Sequence, residues 1–177
     1  GLCAVYFHRR GNERFAASAL ALLQLTIYGV AYFIAMYAAC AGGRPLIDDR
    51  LMAFDAALGL HLPAIVEWAK DCPKVRLALD LSYDMLLPQT MLVIVGGGLA
   101  GRCREVHEFL FGFFVCSLLA LLVFAIWPAV GPFRAYGFEP SHLQQRYLEQ
   151  FDAVRAGRLI ELPWPDAVGL ITFPSMH

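Results

Sequence analysis

The sequence predicts an all-α, integral membrane helical bundle with three complete spans, the start of a fourth, and amphipathic helices at the interface. Three observations carry that expectation. Hydrophobic residues make up 59% of the 177-residue chain and charged residues 16%, whereas soluble domains hold roughly 45–50% and 25%. Mean hydropathy is correspondingly positive, at +0.56. Several apolar runs reach the ~20 residues that a spanning helix needs.

The first run, FAASALALLQLTIYGVAYFIAMYAAC (residues 15–40), follows the basic flank HRRGNER. It is longer than the apolar core of a cleaved signal peptide, so it reads as a span. After an AGGRP turn comes LIDDRLMAFDAALGLHLPAIVEWAKD, interrupted by Asp48, Asp49, Asp55, His61 and Glu67. That pattern suits one or two amphipathic helices at the interface. Residues 75–99 are apolar enough to cross, although Asp80, Asp84, Pro88 and Gln89 punctuate them. A GRCREVHE connector leads to the cleanest span, residues 109–127. Within the following loop, SHLQQRYLEQFDAVRAG predicts a helix capped by Ser141 and ended by Gly157. Leu143, Tyr147, Phe151 and Val154 share one face, Gln145, Glu149, Asp152 and Arg155 the other. The expectation is a helix lying on the membrane surface. A last apolar run starts near Ala167 and reads as the first turns of a fourth span.

Arginines orient the spans. Arg9, Arg10, Arg14, Arg102 and Arg104 are dense at two of the flanks, whereas the other two loops spread their Lys and Arg thinly. Under the positive-inside rule the dense flanks are cytoplasmic, which puts loop 128–166 and the closing ITFPSMH on the outer face. Net charge is −1 and there is no basic block, so nucleic acid is not expected as a partner. The five cysteines form no CxxC or Cys/His cluster, so neither a metal nor a cofactor is expected. Their odd number also argues against a fully paired disulfide framework.

FPSMH is where chemistry enters. Pro174 fixes its own φ and disfavours helix at Phe173, and Ser175 can then cap a helix descending into the membrane. Helix starts offer unpaired N–H groups and partial positive charge, which suit phosphate. His177, one turn in, would stand beside that anion with a proton to give or take at neutral pH. The same residues also read as an ordinary capped helix start with an interfacial histidine.

PSMH resembles the PSxH motif of the type 2 phosphatidic acid phosphatase superfamily. ITFPSMH, preceded by a long loop and a WPAVGP turn, is most similar to the inositol phosphorylceramide synthase-like branch. The resemblance implies about six spans, with PSxH opening the fourth, and three motifs: KxxxxxxRP, PSxH and SRxxxxxHxxxD. It implies that the third motif's histidine attacks phosphorus to form a phosphohistidine, oriented by the neighbouring aspartate. By position, His177 would protonate the leaving group and Ser175 would bind phosphate. Protein cations would neutralise the phosphoryl oxygens without a metal.

The first motif departs from the pattern. The lysines are Lys70 and Lys74, neither with a correctly spaced Arg-Pro, and Arg44-Pro45 has Tyr37 in the lysine position. Arg134, after the Gly-Pro turn, is the candidate substitute cation, and equally reads as a loop arginine pairing with lipid headgroups. The third motif is expected beyond position 177. Residues 1–177 therefore read as a partial phosphatase or phosphotransferase domain, inactive alone. Asp80 and Asp84, one turn apart, read either as the lining of a headgroup cavity or as an interfacial group and a helix-helix bond. His61, His107 and His142 read as structural or solvated.

The expected function is cleavage of a lipid or lipid-linked phosphate in a membrane, for which a bacterial inner membrane with the site facing the periplasm is the expected setting. The oligomeric state is not read from the sequence. The alternative is a non-enzymatic helical membrane protein, a transporter or assembly subunit, in which PSMH is only a helix start.

Overall fold

The structure is a computed structural model that describes residues 2–9, 12–158 and 167–174. Among them every regular element is helical, as expected. In chain order these are α1 Leu2–Arg9, α2 Glu13–Ala41, α3 Asp48–Ala57, α4 Leu62–Asp71, α5 Pro73–Asp84, α6 Leu86–Met91, a π-helical turn Leu92–Gly96, α7 Gly97–Leu99, α8 Cys103–Ile126, α9 Pro132–Ala135 and α10 His142–Arg155.

Helices α2 and α8 are each long and apolar enough to cross a membrane. The pair α3 and α4 meets the same test together but bends by 81°, and Pro73–Asp84 with Leu86–Leu99 bends by 43°. The described residues thus hold two to four such helices, and the span expected over 75–99 is broken in the middle. Pro88 explains the break. It has no N–H to offer the Asp84 carbonyl and its ring crowds that carbonyl, which kinks a helix one turn ahead of the proline.

The chain divides into two compact units, and each is described by itself. The first comprises the described residues of Gly1–Ala31 and Pro73–Ser117. Its core is Ala21, Ile94, Val106 and Leu110, with Leu22, Leu25, Phe109 and Phe114 packed around them. Small residues set its spacing. A Cβ added to Gly98 would meet Ser18 Oγ at 1.9 Å and Ser18 Cβ at 3.1 Å, so only glycine permits this approach. The Tyr28 ring stacks on Phe114 at 4.0 Å, and its hydroxyl hydrogen-bonds Ser117 Oγ.

The second unit comprises the described residues of Tyr32–Cys72 and Leu118–Met176. Its core gathers Met36, Tyr37, Cys40, Phe124, Phe151 and Leu170 among others. Helix α10 starts and stops where expected. Ser141 caps it in a reciprocal capping box with Gln144, and Gly157 follows at φ +65°. Its apolar face, however, does not rest on lipid. Tyr147, Phe151 and Val154 are buried in the core with Phe124, Val130 and Leu170, and Leu143 remains 70% exposed. Protein side chains complementary to the stripe take the place that the sequence assigned to the membrane.

A second difference concerns residues 167–174, read from the sequence as the first turns of a span. They contain no helix. Their backbone groups bond outside the segment instead: Val168 to Tyr37 and Gln150, and Leu170 N–H to Met36 Sδ at 3.1 Å. A helix here would have to take those groups back.

Candidate functional site

The site is built around the turn that ends α8. Pro128 and Pro132 bracket Ala129, Val130 and Gly131, so the turn has few N–H groups and cannot form a ladder. Gly131 sits at φ +110°, in the region that favours glycine. Ala129 and Val130 are buried, so their peptide groups need partners.

Those partners come from three separate stretches of chain. Asp48, the first residue of α3, accepts the Val130 N–H at 3.1 and 3.0 Å through its two oxygens, and the Gly131 N–H at 2.9 Å. One residue earlier, Ile47 N–H donates to Pro128 O at 3.0 Å. Thr172 Oγ1 donates to Ala129 O at 2.8 Å. The Tyr147 hydroxyl donates to Val130 O at 3.1 Å. Burial holds the Tyr147 hydroxyl well above the usual phenol range, only partly offset by its hydrogen bond with Thr172.

Residues 167–174 are pinned further upstream. The Tyr37 hydroxyl donates to Gln150 Oε1 at 2.6 Å and accepts the Val168 N–H at 3.3 Å, with Val168 O 3.1 Å away. Position 37, where the resemblance expects a lysine, thus supplies a hydroxyl that fastens the chain leading into FPSMH. Arg44, its expected partner in the same motif, offers its carbonyl to Arg155 Nη2 at 2.7 Å.

A cavity of about 340 Å³ opens beside the turn, lined by Asp48, Met52, Phe54, Leu62, Tyr136 and Phe173 among others. That volume lies within the range of small-molecule sites. Its walls are mostly carbon and its charged lining residues are Asp48 and Asp55. Such walls suit hydrocarbon, and their carboxylates repel a phosphoryl group.

Of the residues expected to act, Arg134 is placed on α9, where Nη1 pairs with Asp152 Oδ1 at 2.7 Å, both side chains about half exposed at 48% and 46%. It also lines a smaller cleft of about 180 Å³ with Asp48 and Asp49. Ser175 and His177 lie outside the described residues. Asp80 pairs with Arg76 at 3.8 Å across two largely exposed side chains, an ordinary intrahelical ion pair. His107 Nδ1 lies 2.6 Å from the Cys103 carbonyl of its own helix. Among the described residues, no group of three His, Cys, Asp or Glu could hold a metal ion.

Asp48, Tyr37, Thr172 and Tyr147 are the residues that sequence reasoning missed as site builders. Asp48 stood in the sequence only as one of several charges breaking an apolar run. A weak signal was available: two prolines around buried small residues leave N–H groups that some acceptor must satisfy. Nothing in the local pattern says that the acceptor lies 82 residues away.

A family model described as PAP2 superfamily matches residues 49–177. No curated protein and no solved structure matches the chain. The match takes in well over half of the chain, including α3 after its first residue, α8, the turn and FPSMH, and leaves Arg44-Pro45 outside it. The chain therefore belongs to the PAP2 superfamily.

Proposed function

We propose that this chain is part of a membrane phosphoesterase or phosphotransferase of the inositol phosphorylceramide synthase-like branch, acting on a lipid or lipid-linked phosphate at the outer membrane face. Superfamily membership fits a lipid phosphatase or phosphotransferase, and helices long and apolar enough to cross a membrane fit a substrate held in one. The observation that carries the reading is the family match running through FPSMH at the end of a helical membrane chain.

In the proposed chemistry a histidine of the third motif, outside this chain, attacks phosphorus and breaks the ester P–O bond. His177 gives its proton to the leaving alkoxide. It then takes a proton from water or an alcohol, whose oxygen attacks the phosphohistidine and releases the enzyme histidine. Ser175 binds a phosphoryl oxygen. Arg134 exchanges Asp152 for another; an exposed ion pair is worth only about 0–1 kcal/mol, so the exchange costs little. The hydrocarbon portion of the substrate suits the carbon-walled cavity whose lining includes Phe173. The arginine distribution supports a site on the outer face, and a bacterial inner membrane with the site facing the periplasm or outside is the proposed setting.

The test is turnover of a lipid phosphate by the full-length protein in detergent, read as inorganic phosphate and as alcohol-linked phosphate. His177→Ala should lower turnover by about 10²-fold or more while the far-ultraviolet spectrum stays helical. Undiminished turnover removes His177 from the mechanism. A wild type that turns over no lipid phosphate favours the non-enzymatic alternative.

A further inference from the structure

Two consecutive peptide units in the turn after α8 are held at both edges. In the Ala129–Val130 peptide the N–H donates to Asp48 and the C=O accepts from Thr172. In the Val130–Gly131 peptide the N–H donates to Asp48 and the C=O accepts from Tyr147. A peptide unit is planar, with N–H and C=O pointing in opposite directions. Its orientation is therefore shared: rotating the plane to release one edge also releases the other. One carboxylate grips the N–H edge of both planes, with charge-assisted bonds stronger than neutral ones.

Asp48 does not act as a cap for its own helix. Ile47 occupies the cap position of α3 and makes no side-chain cap bond, whereas both Asp48 oxygens point to residues 130 and 131. Pro128 and Pro132 interrupt any regular backbone pairing of the turn, and a side chain supplies the acceptor instead. The C=O edge matters because Thr172 stands three residues before Ser175 and five before His177. Gly131 is part of the same fit: a Cβ there would lie 3.4 Å from Thr172 Cβ and Cγ2.

We propose that Asp48 is a positioning residue: by orienting these two peptide planes it presents Ala129 O to Thr172 and so fixes the backbone that leads into PSMH. Asp48 lies one residue ahead of the family match. The effect on turnover rests on the function proposed above. The effect on the backbone does not.

The full-length protein in detergent serves for the test, with hydrogen–deuterium exchange of peptides covering residues 168–173 beside steady-state kinetics on a lipid phosphate. Asp48→Ala should speed exchange there by about tenfold or more and lower kcat by about tenfold or more, as small misplacements at a catalytic group do. KM should change less than kcat, because the Asp48 oxygens are engaged by the turn and the carbon walls of the cavity that Asp48 also lines are unchanged. Asp48→Asn, which keeps one acceptor oxygen, should recover most of both. Val154→Ala, a core cavity in the same unit, supplies a variant of lowered stability to compare at an equal distance below its midpoint. If Asp48→Ala exchanges no faster at 168–173 than Val154→Ala, or if Asp48→Asn behaves like Asp48→Ala, the proposal is wrong. Should Asp48→Ala fail to fold, Thr172→Val releases the other edge of the same peptide at nearly constant shape, and unchanged exchange in that variant overturns the proposal equally. A wild type without lipid phosphate turnover would defeat the proposed function alone, since exchange still decides the role of Asp48.

Discussion

The two units are held together by opposite means. In the first, Gly98 and Ser18 bring segments to a separation that leaves no room for a methyl group, and the core beside them is Ala21, Ile94, Val106 and Leu110. In the second, polar side chains do the fastening: the part-buried carboxylate of Asp48 and the hydroxyls of Tyr147, Thr172 and Tyr37 each fix a backbone group far away in sequence. Close packing works where segments are regular helices with satisfied backbones. Directed hydrogen bonds are needed where the backbone is irregular, because its N–H and C=O groups have no neighbours of their own. The first unit should consequently fail when atoms are added, the second when a polar partner is removed.

The sharpest break of that contrast is Gly98→Ala. The added methyl displaces Ser18 Oγ, which otherwise donates to Arg14 O at 3.1 Å, and overpacking of this kind costs about 1–3 kcal/mol. Stability in detergent should fall by that amount. The double variant Gly98→Ala/Ser18→Ala should recover part of it, since it removes the atom met first. Additive losses would mean that the approach of Gly98 to Ser18 is not what limits the first unit.

Tyr147→Phe keeps the ring packing of the second unit and deletes the hydroxyl's bonds to Val130 O and Thr172, leaving Val130 O without its donor. The expected loss is about 1 kcal/mol. Its pH dependence is more diagnostic. Burial raises the hydroxyl's folded pKa above the unfolded value of about 10, so the folded state holds the proton more tightly. That contribution is fully present below about pH 10 and is lost as pH rises towards the folded pKa. Wild type should lose stability above pH 10 more steeply than Tyr147→Phe in denaturation series at several pH values. Parallel curves would show that the hydroxyl is not buried against the turn.

The smallest effect belongs to Arg134 and Asp152. Their 2.7 Å contact lies between half-exposed side chains, and a double-mutant cycle should return a coupling below about 1 kcal/mol that shrinks further in high salt. A coupling of several kcal/mol would make the pair part of the second unit's fastening and would remove Arg134 as a cation free to change partners.

Much of the fold was legible along the chain because its causes are local. The apolar runs became α2 and α8, and the Ser141 box with Gly157 bounded α10. The run 75–99 reads along the chain as one span that Pro88 merely punctuates, and its bend of 43° is legible only in the structure. Of the candidate site only FPSMH was legible, because its resemblance to PSxH is carried by a short motif. The scaffold was not. Asp48 reads as a surface charge on an amphipathic helix until Val130 and Gly131 are placed against it. Tyr37 reads as a lapse from a lysine motif until Val168 meets its hydroxyl.

By itself, the sequence pointed to a helical chain with apolar runs long enough to cross a membrane and a PSMH stretch of the PSxH pattern, because helix formation, membrane compatibility and motif spacing depend on neighbours in the chain. Tertiary structure alone decided which polar groups hold that motif's approach: the face of α10 that turned from lipid to protein, the non-helical course of residues 167–174, and the carboxylate that clamps the turn. Irregular backbone must find its hydrogen-bond partners wherever the fold brings them, and separation along the sequence carries no record of where that will be.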